Sequence, residues 1–431
     1  MKKEDLEFFK VNKGYHRLFL AFREKYKSLG RIGGTVKLTN LTPEEKEVLS
    51  SHFRKDYSRR NSSQVSALTF ERSLAKTRFD HLTLKDILEG YFNESLTGKK
   101  EDERAFKLQQ NRFIGRLLSD FPSGKAYLWL ERVYDGSAVG VRTVVQKFSQ
   151  EEERDKLYYY MSCVCKALNA LPGDKDHKKR LPVFSSQITK NPHGFDLGTF
   201  GGNMFFNALC TVYDIKEPEG SLERAQVYYR AGILIDEISN FVTVSGLLAF
   251  QGKSCDPVWK AALETKQVLQ VPLLNLSRID GVESPIKKVF VIENPGVFGT
   301  IIDKNLFPPM VCTFGQPKLS GIVLLDLLTE SGTDIFYSGD FDPEGLQIAD
   351  SLWRRYGHRF KLWYYDVEDY KKSMSRKTLS EKRLSILENI NCPGLQEVAE
   401  AMRTVKKAGY QELLIDDLME SLSVSSPVTP R

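Results

Sequence analysis

The feature that most constrains the fold is an alternation of short apolar strands and helices over residues 286–366. The predicted strands are IKKVFVIEN, MVCTFG, TDIFYSG and FKLWYYD. Between them, GVFGTIIDKN, LSGIVLLDLLTESG and PEGLQIADSLWRRYG are predicted to be helices. Strands that alternate with helices across short loops are typical of an α/β domain with a mainly parallel sheet. The sequence therefore predicts such a domain over residues 285–420.

The chain before this domain has a different pattern. Residues 1–180 are predicted to be mostly helical. One helix follows Thr42, which forms a capping box with Glu45, and a longer helix is predicted to begin at a Ser149 cap. The polar stretch PGDKDHKKR after that helix is predicted to be an exposed loop.

The middle of the chain is predicted to form a separate module over residues 181–280. Two helices, GNMFFNALCTVYDI and SLERAQVYYRAGIL, precede a strand, NFVTVSGLLAF, and this order suits a winged-helix-like module. The polar stretch LSRIDGVESP, residues 276–285, is interpreted as a linker, and residues 421–431 as a disordered tail. The predicted fold class is therefore an α+β multidomain protein.

Composition excludes several classes of protein. No run of about 18 apolar residues occurs, and the charged N-terminus lacks a signal-peptide core, so we expect a cytoplasmic protein with no membrane span. The six cysteines contain no CxxC pair, and the six histidines form no cluster. A zinc site and disulfides are therefore not expected.

Positive charge is concentrated near the N-terminus. The net charge of the chain is +6, whereas residues 1–60 hold 15 Lys and Arg against 8 Asp and Glu. A basic region on a near-neutral body suits contact with a polyanion, although a solvated helix face is an equal alternative. The densest patch, RKDYSRR, supplies the candidate DNA-binding residues Arg54, Lys55, Arg59 and Arg60.

Three acidic residues lie where predicted strands of the α/β domain end. Glu293 closes VFVIE, Asp340 follows IFYSG, and Asp342 lies two residues further on. Ligands of open parallel sheets bind outside the carboxyl ends of the strands, so these carboxylates converge if the first and third strands are neighbours. Hard oxygen ligands of this kind suit Mg²⁺ or Mn²⁺. Asp342 followed by Pro343 also has the pattern of a helix N-cap, a role that can coexist with metal binding.

Two other segments of the sequence can be compared with known ligand-binding loops. DFDPEG imitates the start of an EF-hand loop, but Ser351 stands where a bidentate Glu is needed and a strand precedes the loop. No GxxxxGK[ST] phosphate loop occurs. The turn FGQPKLSG could touch a phosphate through Lys318, although an ordinary strand-to-helix loop is at least as good an interpretation.

A Glu that closes one strand and a DxD that closes a later strand resemble the Toprim domain of topoisomerases, primases and related nucleases. The segments IENPGVF, GQPKLSG and YSGDFDPEGLQIAD together resemble the Toprim-bearing nuclease subunits of the Wadjet anti-plasmid systems, the JetD family. GRIGGTVKLTNLTPEE, LPVFSSQITKNPHGFDLGT and YRAGILIDEISNFVTVSGL extend this resemblance over most of the chain.

The resemblance implies a metal-dependent endonuclease that cuts circular double-stranded plasmid DNA. Glu293, Asp340 and Asp342 would be the catalytic metal ligands, and Gly339 and Gly345 would shape the loop. The implied partner is an ATPase complex similar to the structural-maintenance-of-chromosomes (SMC) complexes, with its kleisin-type subunits. The layout is also similar to the A subunit of type IIB topoisomerases, and this analogy makes a homodimer plausible.

Two alternatives remain open at the level of sequence. Topoisomerase relatives carry an attacking Tyr before the Toprim domain, and QVYYRAG offers Tyr228 and Tyr229 at that place for a transesterase mechanism. The Wadjet nucleases work without this Tyr. The second alternative is a non-catalytic adaptor of the ATPase complex. The sequence also leaves open whether Glu344 joins the acidic site.

Overall fold

The computed structural model describes residues 3–173, 178–218, 220–304 and 306–425. The chain divides into two compact units, Met1–Pro122 and Ser123–Arg431. The boundaries predicted near residues 180 and 280 both fall inside the second unit. α-Helices and a mixed sheet together give an α+β architecture.

The first unit is helical around one strand pair. Its helices are α1 (Lys3–Val11), α2 (His16–Leu29), α3 (Pro43–Phe53), α4 (Ala67–Leu74), α5 (Leu84–Phe92) and α6 (Lys99–Asp120). β1 (Thr35–Thr39) and β2 (Ser62–Ser66) pair antiparallel. The predicted capping box is confirmed, because Thr42 accepts from the Glu45 N–H and Glu45 accepts from the Thr42 N–H. Aromatic side chains such as Phe9, Phe19 and Phe70 fill the core of this unit.

The second unit begins with helices. These are α7 (Gly124–Asp135), α8 (Val141–Phe148), α9 (Arg154–Asn169), α10 (Leu181–Thr189), α11 (Phe200–Val212) and α12 (Ser221–Arg230). The prediction that the long helix begins at a Ser149 cap is wrong. The Ser149 hydroxyl donates to the Gln146 carbonyl at the end of α8, and a 3₁₀ turn at Glu151–Glu153 precedes α9.

The loop predicted after α9 is partly replaced by a short strand. β3 (Lys179–Arg180) pairs parallel with β4 (Ile233–Leu234). Residues 174–177 of that predicted loop lie outside the described residues. The two helices predicted for the middle module are confirmed as α11 and α12.

A six-stranded mixed sheet organises the rest of the second unit. Its strands are β5 (Phe241–Ser245), β8 (Leu269–Pro272), β10 (Lys288–Ile292), β11 (Met310–Cys312), β12 (Asp334–Ser338) and β13 (Phe360–Leu362). The order is β13-β12-β10-β11-β5-β8. The first four strands are mutually parallel, β5 pairs antiparallel with β11, and β8 pairs antiparallel with β5. All four strands predicted for the α/β domain are confirmed, and β10 and β12 are neighbours.

The predicted strand NFVTVSGLLAF is divided at a turn. Gly246 has a φ of +67°, and a Cβ there would lie 2.7 Å from the Pro308 carbonyl oxygen, so the chain turns at this glycine. β5 precedes it in the large sheet, whereas β6 (Leu248–Gln251) pairs with β7 (Ser254–Cys255) and β9 (Gly281–Glu283). β9 lies within the stretch interpreted as a linker. The winged-helix-like arrangement is not confirmed.

Helices flank the large sheet and complete the unit. They are α13 (Pro257–Glu264), α14 (Leu273–Leu276), α15 (Pro295–Asp303), α16 (Leu319–Glu330), α17 (Pro343–Tyr356), α18 (Val367–Ser373), α19 (Glu381–Leu384), α20 (Pro393–Val405) and α21 (Ile415–Ser425). The predicted helices α15, α16 and α17 are confirmed. β14 (Met374–Thr378) and β15 (Lys407–Gly409) form an antiparallel pair beyond the sheet. Residues 426–431 of the predicted disordered tail lie outside the described residues.

Within the described residues, no helix is both long enough and apolar enough to span a membrane. The six cysteines are free thiols.

Candidate active site

Glu293 follows β10 directly and is the most enclosed of the three predicted acids. Its Oε2 accepts hydrogen bonds from the Asp340 N–H and the Tyr337 hydroxyl, both at 3.3 Å. Burial, together with the charges of Asp340 and Asp342, raises the pKa of the Glu293 carboxyl to about 7. Because β10 and β12 are neighbours, Glu293 thus lies within hydrogen-bond distance of the main chain of Asp340.

Asp340 lies two residues after β12, and the C-terminal part of the chain holds it. Its Oδ1 accepts from the Gln411 N–H at 2.9 Å, and its main-chain oxygen accepts from the Tyr365 hydroxyl at 2.5 Å. Burial raises the pKa of Asp340, as do the charges of Glu412 and Asp342, whereas Lys377 opposes the rise. Lys377 is thus a positive charge close to the site.

Asp342 caps α17, as the sequence predicted. Its Oδ1 accepts from the Gly345 N–H at 2.8 Å, with Pro343 at the first helical position. Its Oδ2 accepts from Arg383 at 2.5 Å, and the same guanidinium binds both carboxylate oxygens of Glu344. This contact lowers the pKa of Glu344. Glu344 therefore balances an arginine beside Asp342.

Two glycines allow the acidic loop to pack this closely. A Cβ at Gly339 would lie 2.6 Å from Glu293 Oε2 and 2.7 Å from the Tyr337 hydroxyl. A Cβ at Gly345 would lie 2.2 Å from the Asp340 carbonyl oxygen. All three distances are too short for a side chain, so the predicted loop-shaping role of Gly339 and Gly345 has a direct steric basis.

The segment after β15 forms one wall of the site. Phe341 and Gly409 exchange main-chain hydrogen bonds of 3.1 and 2.8 Å. Gln411 is fully buried, its Oε1 accepts from the Asn294 N–H at 3.3 Å, and its Nε2 has no hydrogen-bond partner among the described residues. Glu412 accepts from the Asn294 amide at 2.7 Å. A further acid and an unpaired amide therefore lie beside Asp340.

The three acids do not form a closed ligand cage in this conformation. No group of three or more His, Cys, Asp or Glu side chains within the described ranges is arranged to hold a metal ion. Each predicted carboxylate instead binds a protein donor: Glu293 binds the Asp340 N–H, Asp340 binds the Gln411 N–H, and Asp342 binds Arg383. The site is an open arrangement of acids, each with at least one carboxylate oxygen hydrogen-bonded to a neighbour.

Sequence reasoning did not identify Arg383, Lys377 and Gln411 as site residues. They lie 37 to 71 residues after Asp340 or Asp342 in the chain, and no motif marks them. Arg383 belongs to the four-residue helix α19, and Lys377 to β14. Their proximity to the acids follows from tertiary packing, which a local pattern does not reveal.

The predicted basic residues occupy two places. Lys318 is exposed at the N-cap of α16, with its Nζ 5.2 Å from the centre of the Phe241 ring. The patch Arg54, Lys55, Arg59 and Arg60 is exposed in the first compact unit, after α3. None of these four forms an ion pair with the part of the chain that the structure describes. Arg60 lies 4.9 Å from the centre of the Tyr57 ring, and all four side chains are exposed and so accessible to an anion.

The two tyrosines of the alternative mechanism lie on α12. Tyr228 is 0% exposed, and its hydroxyl has no hydrogen-bond partner among the described residues. Burial raises its pKa. Tyr229 is partly buried, burial raises its pKa to about 12, and the Lys178 Nζ lies 4.4 Å from its ring centre. In this conformation, Tyr228 is a packing residue of the helical region.

Comparison with protein families gives two matches. Residues 32–249, just over half of the chain, match a family model described as "Protein of unknown function N-terminus (DUF3323)". Residues 269–422 match a model described as "Protein of unknown function C-terminus (DUF2399)". This matched range contains all three acids. No curated protein matches the chain. The chain therefore belongs to the family of proteins of unknown function that has a DUF3323 N-terminal part and a DUF2399 C-terminal part.

Proposed function

We propose that this protein is a metal-dependent DNA endonuclease with a Toprim-type site formed by Glu293, Asp340 and Asp342. The observation that carries the proposal is the convergence of these acids at the carboxyl ends of the adjacent parallel strands β10 and β12. Burial, and then the charges of neighbouring acids, raise the pKa values of Glu293 and Asp340. A protein rarely brings such acids together without a cation or a proton to balance them.

The donor set fits a hard divalent cation such as Mg²⁺ or Mn²⁺. Carboxylate oxygens are the ligands that these ions prefer, and Mg²⁺ sites commonly combine a few carboxylates with water and a phosphate. An open arrangement of acids is consistent with that pattern. When bound, the cation would polarise the phosphodiester and lower the pKa of a water molecule.

The surrounding residues have distinct tasks in this proposal. Tyr365 and Gln411 hold Asp340 in place through its carbonyl and its carboxylate, while the Gly345 N–H holds Asp342. Such contacts position the acids before substrate arrives. The exposed cation Lys377 lies close enough to Asp340 to act on its pKa and would attract the phosphate backbone.

Two further groups of exposed cations suit binding to the DNA backbone. Lys318 lies at the N-terminus of α16, which begins just after β11 of the same sheet. The patch that contains Arg54 and Arg59 adds positive charge on the other compact unit. Phosphate contacts carry no sequence information, so they suit an enzyme that selects DNA by topology.

The proposed biological setting rests on the resemblance to the JetD nuclease subunits of Wadjet. In this setting, a cytoplasmic SMC-like ATPase complex with kleisin-type subunits selects circular plasmid DNA and this chain cuts it. The topology choice would belong to the ATPase complex. A homodimer would be the analogue of the topoisomerase A subunits.

Two alternatives make different demands on the site. A topoisomerase-like transesterase needs an accessible tyrosine, and the burial of Tyr228 disfavours that residue, leaving the partly buried Tyr229. A non-catalytic adaptor has no need for three mutually repelling acids, and the retention of Glu293, Asp340 and Asp342 disfavours it.

The experiment measures Mn²⁺ binding and DNA cleavage in the same preparations. Asp340→Asn keeps the shape of the side chain but removes its charge, and we expect both Mn²⁺ affinity and cleavage to fall. Glu330→Ala is the matched control, since Glu330 is an exposed acid at the far end of α16. Cleavage that survives Asp340→Asn unchanged would place the active site elsewhere.

A further inference from the structure

One aromatic side chain is exposed at the same edge of the sheet as the acids. Phe314 follows β11 and is 44% exposed. Its φ is +55°, and that of Gly315 is +84°, so two consecutive residues have left-handed backbone conformations. A bulky residue rarely adopts positive φ, and such conformations concentrate at functional sites. The fold therefore holds Phe314 in an unfavourable backbone conformation while leaving its side chain partly exposed.

Hydrogen bonds tie both neighbours of Phe314 to the end of β10. The Thr313 N–H donates to the Ile292 carbonyl at 3.0 Å, and the Gly315 N–H donates to the Glu293 carbonyl at 3.2 Å. Adjacent strands lie about 5 Å apart, so the Phe314 backbone is one strand spacing from that of Glu293. These hydrogen bonds therefore fix the backbone of Phe314 next to Glu293.

The surroundings of Phe314 are polar and cationic. Gln316 and Lys318, on the same loop, are both exposed. The Phe241 ring contacts both Phe314 and Lys318. Its centre is 6.1 Å from the centre of the Phe314 ring, with an angle of 79° between the ring planes, and 5.2 Å from the Lys318 Nζ. A protein docking surface needs a contiguous apolar patch, whereas an aromatic ring beside a cation is typical of contact with nucleic-acid bases.

We propose that Phe314 is a positioning residue that inserts beside, or stacks on, a base next to the phosphodiester to be cut. This proposal rests on the proposed nuclease function and specifies its substrate as DNA that is locally unstacked and kinked. Apolar side chains that enter a base step open it and bend the duplex. Because every base has an aromatic face, the contact selects deformable DNA rather than a sequence.

The binding experiment separates the ring from the backbone conformation. A duplex of about 30 base pairs, with 2-aminopurine at several positions, is mixed with the full-length protein in EDTA, and both anisotropy and 2-aminopurine fluorescence are recorded. Phe314→Asn removes the ring but tolerates positive φ, and Phe314→Tyr keeps the ring. Val258→Ala, at an exposed apolar position on α13, is the control.

We expect the wild type, Phe314→Tyr and Val258→Ala to change the 2-aminopurine signal, and Phe314→Asn to lose that change. We also expect Phe314→Asn to bind DNA about tenfold more weakly, in line with the usual size of base–aromatic stacking. An unchanged signal in Phe314→Asn overturns the proposal. If Phe314→Asn instead keeps the wild-type 2-aminopurine change but loses oligomer mass by light scattering, the proposal is also overturned, and Phe314 belongs to a protein interface.

A cleavage experiment distinguishes failure of this proposal from failure of the nuclease proposal. In the presence of Mn²⁺, Phe314→Asn should cut a fully paired duplex about tenfold more slowly. It should recover most of that loss on a duplex with a three-nucleotide bubble, where the bases are already unstacked. If wild type and variant cut both duplexes equally, the nuclease proposal is supported and the proposed role of Phe314 is wrong. If the 2-aminopurine signal depends on the Phe314 ring but no cleavage occurs, Phe314 contacts a base and the nuclease proposal is wrong.

Discussion

Replacing Gly345 by alanine is predicted to displace the loop that carries Asp340. A Cβ at position 345 would lie 2.2 Å from the Asp340 carbonyl oxygen, whereas real Cβ atoms essentially never approach other atoms closer than 3.0 Å. The contact must therefore open by about 0.8 Å. That oxygen also accepts from the Tyr365 hydroxyl at 2.5 Å, so the same movement disturbs the hydrogen bond. The clash is between main-chain and Cβ atoms, and no rotamer change relieves it.

The expected size follows from overpacking of a dense core. Such changes cost about 1–3 kcal/mol, and for a unit of this size that lowers Tm by roughly 2–5 °C. A misplacement of about 1 Å at a reacting group costs about 100-fold in rate. Gly299→Ala in α15 is the matched control, because a Cβ there meets nothing within 4 Å. We expect this control to leave Tm unchanged or raise it slightly, by about 0.5–1 kcal/mol in stability.

The assay combines thermal denaturation followed by circular dichroism with Mn²⁺-supported DNA cleavage. Gly345→Ala should lower both Tm and cleavage, and Gly299→Ala should lower neither. A Gly345→Ala protein with wild-type Tm and wild-type cleavage would refute the steric argument, since the Asp340 loop would then have room that the structure does not give it.

Two further predictions test the charges of the fold. Burial against Phe70 lowers the pKa of His52 to about 4, so the imidazole is neutral in the folded protein. In the unfolded chain the imidazole binds a proton as pH falls through about 6.5. The free energy of unfolding therefore falls between about pH 6.5 and 4, by up to roughly 3 kcal/mol. His52→Gln should reduce that loss in urea denaturation at pH 7.5 and 5.0, and equal losses would contradict it. Arg383→Gln removes a positive charge from Asp342 and Glu344, so Mn²⁺ should bind about fivefold more tightly by calorimetry, whereas weaker binding would show that Arg383 supports the site.

The acids could be located from sequence because their signals are local. Apolar runs such as VFVI and IFYS predict buried strands, and a carboxylate directly after such a run lies at the strand end. Their convergence required one further condition, that β10 and β12 pair, and the parallel register satisfies it. The cap at Asp342 was equally local, since an N-cap needs only the residues of one turn.

The sequence did not reveal how the middle of the chain joins the large sheet. β5 and β8 come from the region interpreted as a separate module, yet they extend the sheet beyond β11. Gly246 is the residue that separates β5 from β6, and a single glycine in a strand pattern predicts a bulge or a break equally well. The partners of a strand depend on long-range packing, which periodicity does not encode.

The composition of the site was also only partly predictable. Burial of Glu293, which raises its pKa, depends on Tyr337 and on the loop around Gly339. Arg383 and Gln411 reach the acids from elements far along the chain. An isolated arginine or glutamine in sequence has no feature that distinguishes a site residue from a surface one.

The most direct test of the central claim is cleavage of supercoiled plasmid by the purified protein with Mg²⁺ or Mn²⁺. The reaction is run with and without the proposed ATPase partners, beside the Asp340→Ala variant. We expect nicked or linear DNA with ends free of protein, and loss of that product in Asp340→Ala. Cleavage that is unchanged in the variant, or product ends that carry covalently attached protein, would contradict it.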